Sequence, residues 1–476
     1  MLRRDTWPDL VRLGWPISAT LLVRITMRTV DILVVGIAVG AVGVAALGIG
    51  DTIARLVLFT GLGLGAGAIA TVSQATGRRD HQRVAVATTH ACVLALLLGV
   101  PFAVAGWLWA EEAFGLLGAD PDVVRIGGTY LRIVLASAPA RMLAIVLTRA
   151  YQGTGDTRTP LVVRGLGTLL NIGLTVLLVP GLLGLPALGV EGAAVATAIG
   201  NVVSAGALSL VAVLRSGGPG FTLAAFADLR PAGRILRIAA PQILERNLFA
   251  LGALPLNAIT LALGTNVNAG LQVGQRVVLY GLLPSRGAAT AASSRAGNAL
   301  GAGRFADAEH VVRGGLSLAF TVAAPVALAT LVLAAPIAGL FVSEPEAVAA
   351  ATTWVRVFSL ALLLRSFYGV FRGAFEAGGD TRPPLVASTL GIGVGQVFLA
   401  WFLGLQLGLG LPGVAIGVLV DPVLRTAVLW RLFERGTWQR ELADQDATPA
   451  DELDPEDPDP EDPDPPEPDE RVAARQ

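Results

Sequence analysis

An aspartate set in an otherwise apolar run, Val30-Asp31-Ile-Leu-Val-Val-Gly36, has the greatest capacity for chemistry in this chain. A carboxylate at membrane depth is costly unless it is paired or put to use. Two roles are open to Asp31, which lies toward the outer half of the first helix. It can exchange a proton or a cation against a positively charged solute, or it can sit in a static ion pair with Arg28, about one turn earlier. Asn171, Thr175 and Thr197 are polar side chains in two later apolar stretches and are candidates to join Asp31 in an ion-coupling site, although such groups also bond neighbouring helices. Glu245 is a candidate second titrating group, and Arg246 beside it must face another direction on a helix.

Other chemistries are poorly served. All 35 basic side chains are arginine, so there is no lysine for a nucleotide-binding Walker A loop or for a Schiff base. The single Cys92 allows no intrachain disulfide, and histidines at 81, 90 and 310 are too scattered for a Cys/His metal site. We therefore expect no enzyme activity and no cofactor. Asp51 with Arg55, and Asp421 with Arg425, have the four-residue spacing of structural intrahelical pairs.

The elements that position these residues follow from composition. A hydrophobic content of 53% with 15% charged residues and a mean hydropathy of +0.65 exceed what ordinary soluble cores bury, so the bilayer must supply part of the solvent. A span needs about 20 mostly apolar residues. Hydrophobic stretches predict an all-α polytopic membrane protein of twelve helices at 11–39, 44–75, 84–110, 121–151, 158–180, 188–214, 233–263, 269–299, 307–341, 346–377, 383–410 and 411–435. The N-terminal stretch has arginines before an apolar run but no small-residue cleavage site, and reads as a retained first helix. Connections after even-numbered helices carry arginines such as Arg78, Arg158, Arg230, Arg304 and Arg382, and the others carry Glu111, Asp120, Glu191 and Glu344. By the positive-inside rule both termini face the cytoplasm.

The chain also repeats itself. Arg149-Ala-Tyr-Gln-Gly-Thr-Gly-Asp-Thr-Arg-Thr-Pro-Leu-Val162 returns 224 residues later as Gly373-Ala-Phe-Glu-Ala-Gly-Gly-Asp-Thr-Arg-Pro-Pro-Leu-Val386. Gln74-Ala-Thr-Gly77 returns as Asn298-Ala-Leu-Gly301, Pro16 as Pro241, and Gly192-Ala-Ala-Val-Ala196 as Gly413-Val-Ala-Ile-Gly417. Copies of six spans share one topology and should be related by an axis along the membrane normal. The expected organisation is a first lobe at 1–218, a second at 219–435, and a disordered cytoplasmic tail of Asp, Glu and Pro at 436–476. Gly61, Gly63, Gly65 and Gly67 read as helix-packing positions. The Gly155-Asp156-Thr157-Arg158 segment and its copy at 379–382 read as helix caps.

At these residues the chain resembles the multidrug and toxic compound extrusion (MATE) family of the MOP superfamily. The likeness runs from about Trp15 to Arg435 and is carried by Pro16, Val30-Asp31, the glycine-rich second helix, Gly153–Pro160 and Gly192–Thr197 in that order. It implies two pseudo-symmetric six-helix bundles in the cell membrane. It also implies export of organic, cationic or amphipathic compounds by exchange with protons or sodium. In many prokaryotic members an acid of helix one joins Asn and Asp of helix five and Thr of helix six. Asp31, Asn171 and Thr197 match, but Thr175 stands in place of the helix-five Asp. One carboxylate would hold sodium less strongly than two, so proton coupling is expected, with Asp31, Asn171 and Thr197 as candidate sodium ligands otherwise. Expected partners are small organic solutes and membrane lipid, with no nucleic acid and no second subunit. Two alternatives remain: a flippase for lipid-linked precursors, which would show extra helices or a strongly cationic central cavity, neither of which is expected here, and a non-transporting scaffold working through the tail.

Overall fold

The computed structural model describes residues 6–116, 120–215 and 218–439. Its first half comprises α1 (Thr6–Val39), α2 (Ala41–Gly77), α3 (His81–Gly115), α4 (Pro121–Ala136), α5 (Ala138–Gly153), α6 (Arg158–Leu178) and α7 (Val190–Leu214). The second half comprises α8 (Arg230–Ala262), α9 (Thr265–Gly281), α10 (Leu283–Gly301), α11 (Phe305–Val332), the short α12 (Ala334–Gly339), α13 (Pro345–Gly378), α14 (Arg382–Leu390) and α15 (Gly410–Glu434). Counting α4 with α5, α9 with α10, α11 with α12, and α14 with the π-helical segments that extend it to Gln406 gives twelve rods, an all-α polytopic membrane fold. Among the described residues, eight helices are long and apolar enough to cross a bilayer alone, and the α4–α5 pair, bent by 48°, makes a ninth. The remaining rods, α1, α8 and α9–α10, fall short because they carry polar and charged side chains at membrane depth.

Three expected single helices are broken, each just ahead of a proline. The 121–151 stretch breaks at Ser137, before Pro139. The 269–299 stretch breaks at Leu282, before Pro284, and the 307–341 stretch at Leu333, before Pro336. Proline lacks the N–H that continues the ladder and crowds the preceding turn. The caps behave as the sequence suggests: Asp156 Oδ1 accepts from the backbone N–H of Arg158 and Thr159, and Asp380 Oδ1 from that of Arg382. Asp421 and Arg425 form the expected i, i+4 ion pair, both buried. Ordered packing runs past the expected start of the tail, because Trp438 is buried and stacked on Phe433 at 5.3 Å. Residues 440–476 lie outside the described set.

The halves meet through the helix ends that carry the arginine-rich connections. A Cβ on Gly63 or Gly67 would strike Ile243 or Ile235 of α8, whereas one on Gly61 or Gly65 would strike Ile145 or Arg149 of α5, so the glycines of α2 serve two partners on two faces. Gly14 of α1 lies against Gly287 of α10, and Ser18 Oγ donates to the Leu283 carbonyl at 3.1 Å. Gly77 abuts the Asn298 carbonyl, and Gly301 abuts the Gln74 carbonyl. These are the repeated residues in reciprocal contact. The start of α1 accordingly packs into the core of the second half, through Leu10 and Leu13, and the start of α8 into that of the first, through Ile235 and Ala239.

Candidate ion-coupling site

Close approach of α6 and α7 prepares the site. A Cβ on Gly167 would collide with Ser204, and one on Gly200 would press on Asn171, so the two helices touch almost backbone to backbone. Asn171 and Thr175 are four residues apart and share one face of α6. Both are buried. Asn171 Nδ2 donates to Thr197 Oγ1 of α7 at 3.3 Å, and Thr175 Oγ1 donates to Asp31 Oδ1 of α1 at 2.9 Å. The four residues singled out in the sequence thus form two hydrogen-bonded pairs joined through α6. Asp31 is 7% exposed. Among the described residues its second carboxylate oxygen has no hydrogen-bond partner, nor has the buried Oδ1 of Asn171. Two oxygens without donors suit a proton or a small cation.

The static Arg28–Asp31 pair is not formed. Arg28 Nη2 instead meets Asp51 Oδ2 of α2 at 2.6 Å, and the Tyr130 hydroxyl donates to Asp51 Oδ1 at 3.0 Å. The Asp51–Arg55 pairing suggested by spacing is also replaced by this arrangement, because a carboxylate facing α1 and α4 satisfies two donors at once.

Glu245 is buried in α8. Its Oε1 accepts hydrogen bonds from the Tyr368 hydroxyl and, at 3.0 Å, from Ser388 Oγ, while Arg372 Nη1 stands 3.9 Å from Oε2. The sequence did not single out Tyr368, Ser388 or Arg372, whose role depends on how α13 and α14 are rotated.

Arginines of the two halves also come near one another: Arg24 of the first half lies within electrostatic range of Arg286 of the second and of further arginines. Mid-helix arginines were the available signal, since an ionisable residue at membrane depth calls for a role. No group of three or more His, Cys, Asp or Glu side chains fit to hold a metal occurs among the described residues.

Comparison with known proteins gives a consistent picture. The family model described as MatE matches residues 16–177 and again 241–402. A probable multidrug resistance protein NorM of Bradyrhizobium diazoefficiens is 29% identical over 449 residues, 89% of this chain and 92% of that protein. One from Thermotoga maritima is 26% identical over 377 residues, 79% of this chain and 81% of that protein. A solved structure, described as the outward-facing conformation of a multidrug resistance MATE family transporter of the MOP superfamily, superposes with a TM-score of 0.84 at 25% identity. It covers 92% of this chain and 98% of that one.

Proposed function

The chain belongs to the MatE family, and from that premise we propose a secondary exporter that moves organic solutes out of the cytoplasm against inward flow of protons. It is a multi-pass membrane transporter rather than an enzyme, in keeping with the family match over both halves and with relatives named for multidrug resistance. Two lobes, 1–218 and 219–435, would open alternately to either side, with both termini and the acidic tail in the cytoplasm.

One observation carries the coupling assignment. Asp31 is buried and receives only a neutral donor, Thr175, because the nearest arginine on its own helix is committed to Asp51. A carboxylate without a permanent counter-charge is free to take up and release a cation during the cycle. Asn171, Thr175 and Thr197 shape that site. The single carboxylate favours a proton over sodium, for which Asp31, Asn171 and Thr197 would be the oxygen ligands. Glu245 is a second group that could change charge, within the bonds from Tyr368 and Ser388.

The test is export of several dyes by purified protein in proteoliposomes, under a proton gradient alone and then a sodium gradient alone. The proton gradient should drive the wild type, and Asp31→Asn should stay folded but lose that drive. Undiminished drive in Asp31→Asn overturns the coupling role, and drive by sodium alone overturns the choice of ion.

A further inference from the structure

We propose that the arginines where the two halves face each other form an anion-binding site, and that the solute exported carries a carboxylate, phosphate or sulfonate group. This rests on the exporter reading and narrows its substrate class.

The first half contributes Arg24 from α1, Arg141 and Arg149 from α5 and Arg164 from α6. Arg24 is within electrostatic range of the other three and of Arg286. The second half contributes Arg246 from α8, Arg286 from α10, and Arg365 and Arg372 from α13. Arg372 lies within range of Arg246, Arg286 and Arg149, and Arg286 within range of Arg365. Since Arg24 with Arg286, and Arg149 with Arg372, cross from one half to the other, the two sets form one cluster. Arg141 and Arg365 are 224 residues apart, the period of the repeat, so each copy supplies the same guanidinium.

The acids nearby offset only part of this charge. Asp51 is taken by Arg28 and Asp421 by Arg425, which leaves Glu245 and Glu376 against eight arginines. Glu376 is within range of Arg149, Arg246 and Arg372, with no ion pair of its own among the described residues. Among the described residues Arg372 alone of the eight has a carboxylate within 4.0 Å, Glu245 at 3.9 Å. Nε and Nη2 of Arg246 are buried with no hydrogen-bond partner. Guanidinium does not shed its proton in proteins, so such a cluster keeps its charge and requires an anion.

Depth places the cluster well inside the membrane-spanning block. Arg24 is about 27 Å along α1 from its first residue, and Arg286 about 23 Å along α10 from its last, at 1.5 Å per residue. Facing lipid there would be costly. Arg286 is within range of Arg24, Arg365 and Arg372, which sets it toward the other arginines rather than toward lipid. Arg24 is two turns before Asp31 on one face of α1. A bound anion would lie just inward of the coupling carboxylate, with the Arg28–Asp51 pair between them.

The experiment measures binding of an anionic carboxyfluorescein-type dye and a cationic rhodamine-type dye to the purified full chain in neutral detergent. The anionic dye should bind, more weakly at high salt. Arg24→Gln with Arg286→Gln should weaken it by on the order of a hundredfold, about tenfold for each charge-assisted hydrogen bond removed, while Arg24→Lys with Arg286→Lys keeps most of the affinity. Competition by a soluble aryl phosphate supports a free organic anion, and competition only by a short-chain phosphatidic acid supports a lipid headgroup. Failure of the anionic dye to bind, or binding unchanged in the glutamine variant, overturns the proposal. Gradient-driven export of the cationic dye alone would do the same and leave the exporter reading standing, whereas no driven export of either dye would defeat that reading instead.

Discussion

Arg28 of α1 and Asp51 of α2 form a 2.6 Å ion pair that holds the arginine away from Asp31, three residues further along its own helix. The proposed coupling carboxylate is left unpaired by this partner on another helix. Asp51→Asn should release Arg28 toward Asp31 and abolish gradient-driven export without altering Asp31 itself. The double variant Arg28→Gln with Asp51→Asn should recover drive. Export rates across the four proteins should show an interaction of about 1–3 kcal/mol between the two positions. Strict additivity would refute the arrangement.

Thr175 occupies the position where the family resemblance leads one to expect a second acid. Thr175→Val removes the 2.9 Å hydrogen bond to Asp31 and should cost about 1 kcal/mol of stability, whereas Thr175→Ser should behave as wild type. Thr175→Asp supplies a second carboxylate beside the first. Export by that variant should respond to a sodium gradient that leaves the wild type unmoved, as dye flux in proteoliposomes would record.

Glu245 should distinguish loss of charge from loss of bonding. Glu245→Gln retains an oxygen for Tyr368 and Ser388 and should lower the apparent Tm in detergent slightly. Glu245→Leu leaves both hydroxyls and Arg372 facing an apolar chain, with an expected penalty of about 3–5 kcal/mol. Equal melting of the two variants would show that the bonds contribute nothing.

The seam between the halves, where the ends of α2 and α10 meet, is sensitive to single carbons. A methyl on Gly301 would strike the Gln74 carbonyl, and Gly301→Ala should destabilise the closed seam by about 1–3 kcal/mol. Ser73, buried beside Gly297, offers a reporter. A Ser73→Cys protein should react with a permeant maleimide faster when it also carries Gly301→Ala, and an unchanged rate would count against the seam as what shields Ser73.

The local code was legible where side chains act through their own helix or a matched repeat. Asp156 and Asp380 cap as their spacing implies, the α2 glycines pack helices, and Asp421 bonds Arg425 four residues on. The grouping of Asp31 with Asn171, Thr175 and Thr197 rests on polar residues in apolar helices together with the family likeness, and bonds form within it across 144 and 26 residues. Other features depend on how helices are rotated about their axes, which hydropathy does not fix. Arg28 chooses Asp51 over a nearer acid on its own helix, and Tyr368 reaches Glu245 from α13. The arginines that appear as isolated charges along the sequence come within range of one another only once α1, α5, α10 and α13 are packed together. Prolines at 139, 284 and 336 were visible, yet continuous hydrophobicity masked the breaks they cause.

The crossing of α1 and α8 into each other's half makes the contact between the copies isologous in all but name, like that of a homodimer whose two arms have been exchanged. Leu10 and Leu13 anchor one end of α1 in the second half, while Asp31, near its other end, bonds to the first. The Gly14–Gly287 contact lies between these two attachments, so a single helix, Thr6–Val39, touches both halves with no intervening loop.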